Sequence, residues 1–316
     1  MKLTISLVAG ALTDPILTGK VRIEGVEIDP RTATTVDGNS RGMLELKFDV
    51  AEMSLATFVK ARDDGVKLIG LPVFTGRRFL EPGIGVRPQS GIADPRALAG
   101  KRVGVPQFWM TSSVWHRAVL AEVYGVAQTA VNWVTVQPER FTLAWPAGLK
   151  VEHKAGGSLE ALLKDGAIDA VLFPRAIEEH FAPALVVSPF SDIVAAQRAF
   201  LDKTHVFPIM HFVVMREALH RDNPGLARRI VAAFDAAKAG VLRAPLSIPP
   251  RDLPFHRADF AYGKDALGPD PWPYGIAANR AALDWFLTRA HAQGLTRTRL
   301  SLKDLFVEGE GATAAE

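Results

Sequence analysis

Short apolar runs alternate along the chain with segments whose apolar residues recur at helical spacing. The apolar runs predict strands at residues 3–8, 21–28, 48–51, 68–73, 84–87, 102–105, 131–136, 170–173 and 207–215. The helical spacing predicts helices at 54–62, 113–124, 159–164, 192–201, 224–241 and 277–292. Because strands alternate with helices, the pattern predicts an α/β protein with largely parallel sheets.

Two segments have the character of crossings between domains. Residues 87–91 are polar, extended and contain Pro and Gly, and a fresh series of strands and helices opens after them. The apolar run 207–215 is the second crossing, because the chain beyond it turns mostly helical. We therefore predict a discontinuous lobe I of residues 1–88 and 212–316 and a lobe II of residues 89–211. This is the organisation of a hinged, two-lobed binding fold with a ligand cleft between the lobes.

Composition and charge argue against several classes of protein. The 316 residues carry 37 Lys and Arg against 34 Asp and Glu, and the small surplus of +3 is scattered, which disfavours a nucleic-acid partner. Cysteine is absent, so disulfides, thiolate nucleophiles and iron–sulfur clusters are excluded. No apolar run reaches the roughly 18 residues of a membrane span. Residues 1–12 alternate as a strand does and hold a single Lys, so we expect a strand rather than a signal peptide, and a cytoplasmic protein.

Side chains suited to hold an acid follow several predicted strands. Glu52 stands at the carboxyl end of the strand 48–51, where open α/β sheets bind their ligands, and the alternative is that it pairs at the start of the next helix. Arg77 and Arg175 also follow strands. The guanidinium of each could bind a substrate carboxylate through two parallel hydrogen bonds, or it could form an ion pair on the surface.

His211 is a titratable group inside an apolar run. It is either a hydrogen-bonded core residue or, because its strand is the second predicted crossing, a proton donor on the floor of the cleft. The histidines show neither HxH nor HExxH spacing, and the loop 106–113 lacks Gly. The sequence therefore supports neither a metal site nor a nucleotide cofactor.

The helix that follows the loop 106–110 offers a possible binding site for an anion at its N-terminus. Thr111, Ser112 or Ser113 supplies its N-cap, and the free N–H groups of such a helix end favour a carboxylate or phosphate; the alternative is that these hydroxyls only cap. Trp115 and Arg117 follow within two turns. The proline-containing loop 270–275 holds Trp272 and Tyr274. These rings either line the binding site of an aromatic ligand or pack in the protein core.

These same segments, in this order, resemble the 4,5-dihydroxyphthalate decarboxylase-like family, which has the type 2 periplasmic-binding-protein fold. The resemblance spans nearly the whole chain through residues 20–28, 48–54, 72–79, 98–106, 111–120, 207–214 and 270–276. The IMH and DPWPYG elements are the more specific ones. The residues that match family motifs are Glu52, Arg77, Thr111, Trp115, Arg117, His211, Trp272 and Tyr274.

The resemblance implies a cofactor-independent decarboxylase of a hydroxylated aromatic carboxylate such as 4,5-dihydroxyphthalate. From their chemistry we expect Glu52 to act as a base toward the phenol and His211 to deliver a proton to the ring carbon. Arg77 completes the expected catalytic set as an anchor of carboxylate. The remaining candidates would bind the substrate: Thr111, Ser112, Arg117 and Arg175 as further anchors, and Trp115, Trp272 and Tyr274 as walls.

The chain departs from the family pattern at two places. Leu80 and Glu81 stand where members usually have an Arg-His pair, and residues 13–15 replace a Tyr-Asp-Arg sequence. Two alternatives are therefore kept: an enzyme for a different acid, and a binding protein of the same fold that captures an aromatic or other small carboxylate. The sequence leaves the oligomeric state open, a homo-oligomer included.

Overall fold

A computed structural model describes residues 1–141, 143, 145–243 and 266–307. The strands in chain order are β1 Lys2–Val8, β2 Glu27–Ala33, β3 Val50–Ser54, β4 Leu68–Gly70, β5 Gly76–Arg77, β6 Ile84–Val86, β7 Arg102–Val105, β8 Asn132–Thr135, β9 Lys150–His153, β10 Ala170–Leu172 and β11 Ile209–Arg216. The helices are α1 Asp14–Leu17, α2 Val36–Leu44, α3 Leu55–Asp63, α4 Thr111–Tyr124, α5 Leu159–Lys164, α6 Ile193–Thr204, α7 Glu217–Asp222, α8 Leu226–Leu242, α9 Ile276–Ala292 and α10 Leu302–Leu305. Within these ranges no helix is both long and apolar enough to cross a membrane.

The chain forms two units, each with its own sheet. In its described parts, unit 1 consists of Met1–Arg78, Ile209–Leu287 and Thr298–Glu316, and unit 2 of Phe79–Pro208 and Thr288–Arg297. These bounds differ from the predicted ones at both crossings, and residues 288–297, which were predicted to lie in lobe I, belong to unit 2. Residues 79–88 belong to unit 2 because β6 pairs with β10 there. His211 belongs to unit 1 because it lies in β11, where it pairs with Ser54 of β3.

The sheet of unit 1 has the order β2-β1-β3-β11-β4, and β5 also pairs with β11. β1 runs parallel to β2 and β3, whereas β11 is antiparallel to β3, β4 and β5. This sheet is mixed rather than largely parallel, because β11 forms where the chain returns to unit 1 and enters the sheet in the opposite direction. The alternating residues Leu3, Ile5 and Leu7 of β1 share a core cluster with Ile230 and Phe234 of α8.

The sheet of unit 2 has the order β6-β10-β7-β8-β9. Its pairs are parallel except that β6 is antiparallel to β10. Val134 and Val171 of this sheet pack with Leu159 and Leu163 of α5, and Ile177 belongs to the same cluster. The predicted alternation of strands and helices is clearest in this unit, where β7, α4 and β8 follow one another along the chain.

One predicted strand is misplaced. The apolar residues 21–28 suggest a strand, but β2 begins only at Glu27 and continues to Ala33. Gly25 adopts a φ of 69°, and the turn that it makes interrupts the segment 21–28 before the strand begins. β2 pairs with β1 along its whole length although it is polar, as an edge strand with one side in solvent can be.

Candidate active site

The register of two strands in unit 1 brings Glu52 and His211 together. In the antiparallel pair of β3 and β11, Glu52 lies opposite Val213, and Ser54 lies opposite His211. Glu52 and His211 are therefore diagonal neighbours on one face of the sheet, a separation that long side chains can bridge. Residues from distant parts of the chain thus meet in this sheet.

The Glu52 carboxylate is buried, with 4% of the residue exposed, and both oxygens accept hydrogen bonds from the protein. Oε2 accepts from the backbone N–H of Val8 at 3.1 Å, and Oε1 accepts from the Thr75 hydroxyl at 2.7 Å. Nδ1 of His211 lies 3.8 Å from the same Oε1, within ion-pair range. The carboxylate therefore faces the imidazole, and its role as a base toward a phenol stays a prediction.

The His211 side chain is about a quarter exposed, at 26%, and so accessible to a small molecule. Gly76 of β5 pairs with it across the sheet, and a Cβ on Gly76 would come within 2.7 Å of Nδ1 and 3.0 Å of the His211 Cβ. A side chain at position 76 would displace the imidazole from the Glu52 carboxylate. The Gly therefore provides the space that the ring occupies.

Arg77 is held at the end of β5 by the loop that precedes α9. Its Nη2 donates to the carbonyl oxygen of Pro273 at 3.0 Å and to Oδ1 of Asn279, and the guanidinium lies 5.4 Å from the centre of the Phe74 ring. Asn279 in turn donates to the carbonyl oxygens of Pro273 and Gly275. Burial lowers the pKa of Arg77 to about 10, so the side chain remains a cation at neutral pH.

The predicted wall residues pack inside unit 1. Trp272 is 3% exposed and clusters with Leu12, and Tyr274 is 4% exposed within the main core cluster. Lys238 of α8 fixes the loop through its Nζ, which donates to Asp270 at 2.6 Å and to the Trp272 carbonyl oxygen at 3.1 Å. Burial raises the pKa of Tyr274. The structure thus places these rings as packing residues, the second of the two roles that the sequence left open.

The start of α4 differs from the prediction. The N-cap position is Met110, so Thr111 and Ser112 lie in the first turn, and both are buried. Ser113 donates its hydroxyl hydrogen to the Gln107 carbonyl oxygen at 2.7 Å. None of these hydroxyls caps the helix, because the loop carbonyl accepts one of them and the helix begins two residues earlier than its apolar spacing suggests.

Arg117 is enclosed within unit 2, with 1% of the residue exposed. Nη1 donates to the Phe108 carbonyl oxygen at 2.6 Å, Nε donates to Oε1 of Gln293 at 3.0 Å, and the guanidinium lies 3.6 Å from the centre of the Phe108 ring. Burial lowers its pKa to about 9. This placement does not match the predicted substrate anchor, because the first ten residues of α4, Trp115 included, are buried.

The loop before α4 is clamped by a carboxylate that the sequence did not single out. Glu139 accepts from the backbone N–H groups of Phe108 and Trp109 at 2.5 and 3.1 Å. Arg175, by contrast, is exposed just beyond β10. Across the described residues no group of three or more His, Asp or Glu side chains is arranged to hold a metal ion.

Leu80 and Glu81, the departures from the family pattern, lie inside unit 2. Glu81 is fully buried; its Oε2 accepts from the Leu80 backbone N–H at 3.1 Å, and its Oε1 has no hydrogen-bond partner in the described part of the chain. Nε2 of the buried His116 lies 3.0 Å from the Leu80 carbonyl oxygen. Burial raises the pKa of Glu81 to about 7 and lowers that of His116 to about 4, because desolvation disfavours the charged form of each group.

Replacing Glu81 by glutamine is expected to make stability less sensitive to pH. The pKa of Glu81 in the folded state is near 7, above the ordinary 4.5. The native state is therefore stabilised relative to the unfolded state below pH 4.5, and this stabilisation is lost as the pH rises through 7. This contribution to the free energy of unfolding is on the order of 3 kcal/mol, since one pKa unit corresponds to about 1.36 kcal/mol. Urea unfolding at pH 5 to 8 should show Glu81→Gln gaining stability relative to the unmodified protein as pH rises.

The exposed Glu160→Gln is the matched control and should show no such trend. A Glu81→Gln difference that stays constant across this pH range would contradict a buried, proton-binding carboxyl.

Sequence reasoning missed two partners of the site in unit 1. Thr75 lies in the segment between β4 and β5 and looks like an ordinary loop residue, and Asn279 lies in the first turn of α9. The signal in the sequence that points to Thr75 is its place next to Gly76 and Arg77, in a motif that contains a candidate arginine. The backbone path that turns its hydroxyl toward β3 is set by pairing that the local sequence does not reveal.

Comparison with curated proteins identifies close relatives. The chain is 33% identical over 319 residues to a 4,5-dihydroxyphthalate decarboxylase of Comamonas testosteroni, and the match covers 96% of each protein. It is 32% identical over 185 residues to a 4,5-dihydroxyphthalate decarboxylase of Pseudomonas putida, over 55% of this chain and 72% of that protein. No protein-family model matches the chain.

Solved structures share the fold at low sequence identity. The periplasmic aliphatic sulphonate binding protein SsuA of Escherichia coli superposes with a TM-score of 0.54 at 13% identity, over 98% of both chains. The desulfurization enzyme DszB superposes with a TM-score of 0.53 at 19% identity, over 97% of this chain and 96% of that one. The predicted α/β, two-lobed periplasmic-binding-protein-like fold is confirmed. Since the relative from Comamonas testosteroni matches along nearly its full length, the chain belongs to the 4,5-dihydroxyphthalate decarboxylase family.

Proposed function

We propose that the protein is a carbon–carbon lyase that removes one carboxyl group from a hydroxylated aromatic dicarboxylate, with 4,5-dihydroxyphthalate as the first substrate to test. The full-length relationship to a decarboxylase of that name supports the reaction. The observation that carries it structurally is the accessible His211 imidazole beside the buried Glu52 carboxylate, at 3.8 Å from Nδ1 to Oε1. This pair is suited to hold a proton and to deliver it to a substrate.

The reaction needs a proton at the carbon that loses its carboxyl group. A hydroxyl para to that carbon makes the ring electron-rich, so the imidazolium of His211 can protonate the carbon. The bond to the carboxylate then breaks, its electron pair returns to the ring, and carbon dioxide leaves. The product is 3,4-dihydroxybenzoate, and each turnover consumes one proton from solvent to restore the imidazolium.

Glu52 stabilises the protonated imidazole in this scheme, because an opposite charge nearby favours the charged form. Arg77 remains the proposed anchor for the carboxylate that the product retains, since it is a cation at neutral pH and directly follows Gly76, the cross-strand partner of His211. The cytoplasmic location stays a prediction from the sequence, as does the independence from cofactors.

The test is incubation of the purified protein with 4,5-dihydroxyphthalate, with carbon dioxide and the aromatic product both quantified. We expect equal amounts of carbon dioxide and 3,4-dihydroxybenzoate. Phthalate is the matched control and should not react, because it has no hydroxyl to make the ring accept a proton. Recovery of 4,5-dihydroxyphthalate unchanged from a saturable complex would instead identify a binding protein.

A further inference from the structure

We propose that unit 2 contains a carboxylate-binding site, which the Glu139 side chain occupies as an internal ligand and which a free carboxylate can fill in its place. The two oxygens of Glu139 accept from consecutive backbone N–H groups, that of Phe108 at 2.5 Å and that of Trp109 at 3.1 Å. Adjacent N–H groups that point to one anion form a common binding motif for carboxylates. This site lies in unit 2, whereas the proposed catalytic pair lies in unit 1.

A buried cation next to these N–H groups favours a negatively charged ligand. The Arg117 guanidinium donates through Nη1 to the Phe108 carbonyl oxygen at 2.6 Å and lies 3.6 Å from the centre of the Phe108 ring. Its Nη2 is buried and has no hydrogen-bond partner in the described part of the chain. Burial lowers the pKa of Arg117, and the charge of Glu139 opposes this shift. Because an uncompensated buried cation is costly, loss of the Glu139 charge leaves a site that attracts another anion.

The backbone around the site is held by contacts that do not involve the Glu139 carboxylate. The Pro106 carbonyl oxygen accepts from the backbone N–H of Gln137 at 2.9 Å. The side-chain amide of Gln107 donates to the Pro138 carbonyl oxygen. Both bonds join the loop before α4 to the segment that carries Glu139. We therefore expect the two N–H groups to keep their places when the Glu139 side chain is shortened.

The variant Glu139→Ala opens the site to a free carboxylate. The change removes Cγ and the carboxylate, which together have the size of acetate, so sodium acetate is the probe. Glu139→Gln is the matched control, because its amide still fills the site but carries no charge. Glu160→Ala is a second control, since Glu160 is exposed on α5 of the same unit. Melting temperature and amide hydrogen exchange are measured at neutral pH, in acetate and in chloride of equal ionic strength.

In chloride, we expect the Phe108 and Trp109 amides of Glu139→Ala to exchange roughly ten- to a hundredfold faster than in the unmodified protein, the range for one hydrogen bond to a charged group. Acetate should slow this exchange again and raise the melting temperature of Glu139→Ala, because a ligand that binds only the native state stabilises it. The unmodified protein, Glu139→Gln and Glu160→Ala should behave alike in acetate and in chloride.

Equal exchange and melting curves of Glu139→Ala in the two salts would overturn the proposal. An acetate effect of the same size on Glu160→Ala would also overturn it, because the salt would then act on the protein in general. If Glu139→Ala does not fold in chloride, refolding from urea gives the same comparison. Acetate should then restore the folded protein, and failure to refold in both salts would contradict a site for free carboxylate.

Discussion

Replacing His211 by asparagine is expected to lower kcat for 4,5-dihydroxyphthalate by roughly a hundred- to ten-thousandfold, the contribution typical of a positioned proton donor. Asparagine retains polar character at a position that is only a quarter exposed, but it cannot hold a transferable proton. The fold should be preserved, because the core of β11 is formed by its apolar neighbours such as Phe212, which packs on Phe58 at 5.0 Å between ring centres.

Measurement of kcat and of the melting temperature tests this prediction. His153→Asn is the matched control, since His153 is exposed on β9 of unit 2, and it should leave kcat unchanged. A His211→Asn protein that folds and turns over at the normal rate would remove His211 from the reaction and require another donor.

Replacing Glu52 by glutamine should reduce kcat by roughly ten- to a thousandfold at neutral pH, because the change removes the negative charge that faces the His211 imidazole. Glutamine is nearly isosteric and can still accept from the Val8 N–H, so the change removes charge rather than volume. Without that charge the imidazolium is less favoured, and activity should recover in part as pH is lowered. This recovery separates an electrostatic role from a purely structural one.

The pH profile of kcat for Glu52→Gln is therefore the decisive measurement for this residue. Glu27→Gln serves as the control because Glu27 is an exposed partner of Lys2, at 3.4 Å, in the same sheet. A loss of activity of equal size at every pH would show that Glu52 acts by other means than its charge on His211.

Strand positions were readable from the sequence where apolar runs are short and bounded. β7 and α5 begin and end at the predicted residues, and β1 differs by one residue. The sequence points to Glu52 and His211 because both stand in or directly after apolar runs. Their meeting depends on the antiparallel register of β3 and β11, which is set by pairing across more than 150 residues of chain and leaves no local signal.

Motif membership did not reveal which way a side chain faces. Arg117 and Trp115 match family motifs, but α4 is buried at every one of its first ten residues, so both enter the core of unit 2. Trp272 and Tyr274 match as well, and both pack within unit 1. Aromatic residues suit both a ligand-binding wall and a protein core. Arginine can also lie in a core when its guanidinium stacks on aromatic rings, as that of Arg117 does on Phe108.

The central claim is that His211 delivers a proton to the ring carbon that loses its carboxyl group. Turnover of 4,5-dihydroxyphthalate in deuterium oxide, followed by proton NMR of the product, tests it directly. The account predicts 3,4-dihydroxybenzoate carrying one deuterium at the ring position next to the carboxyl-bearing carbon and para to the 3-hydroxyl, formed fast by the unmodified protein and slowly by His211→Asn. Unlabelled product, or labelled product formed equally fast by both proteins, would contradict it.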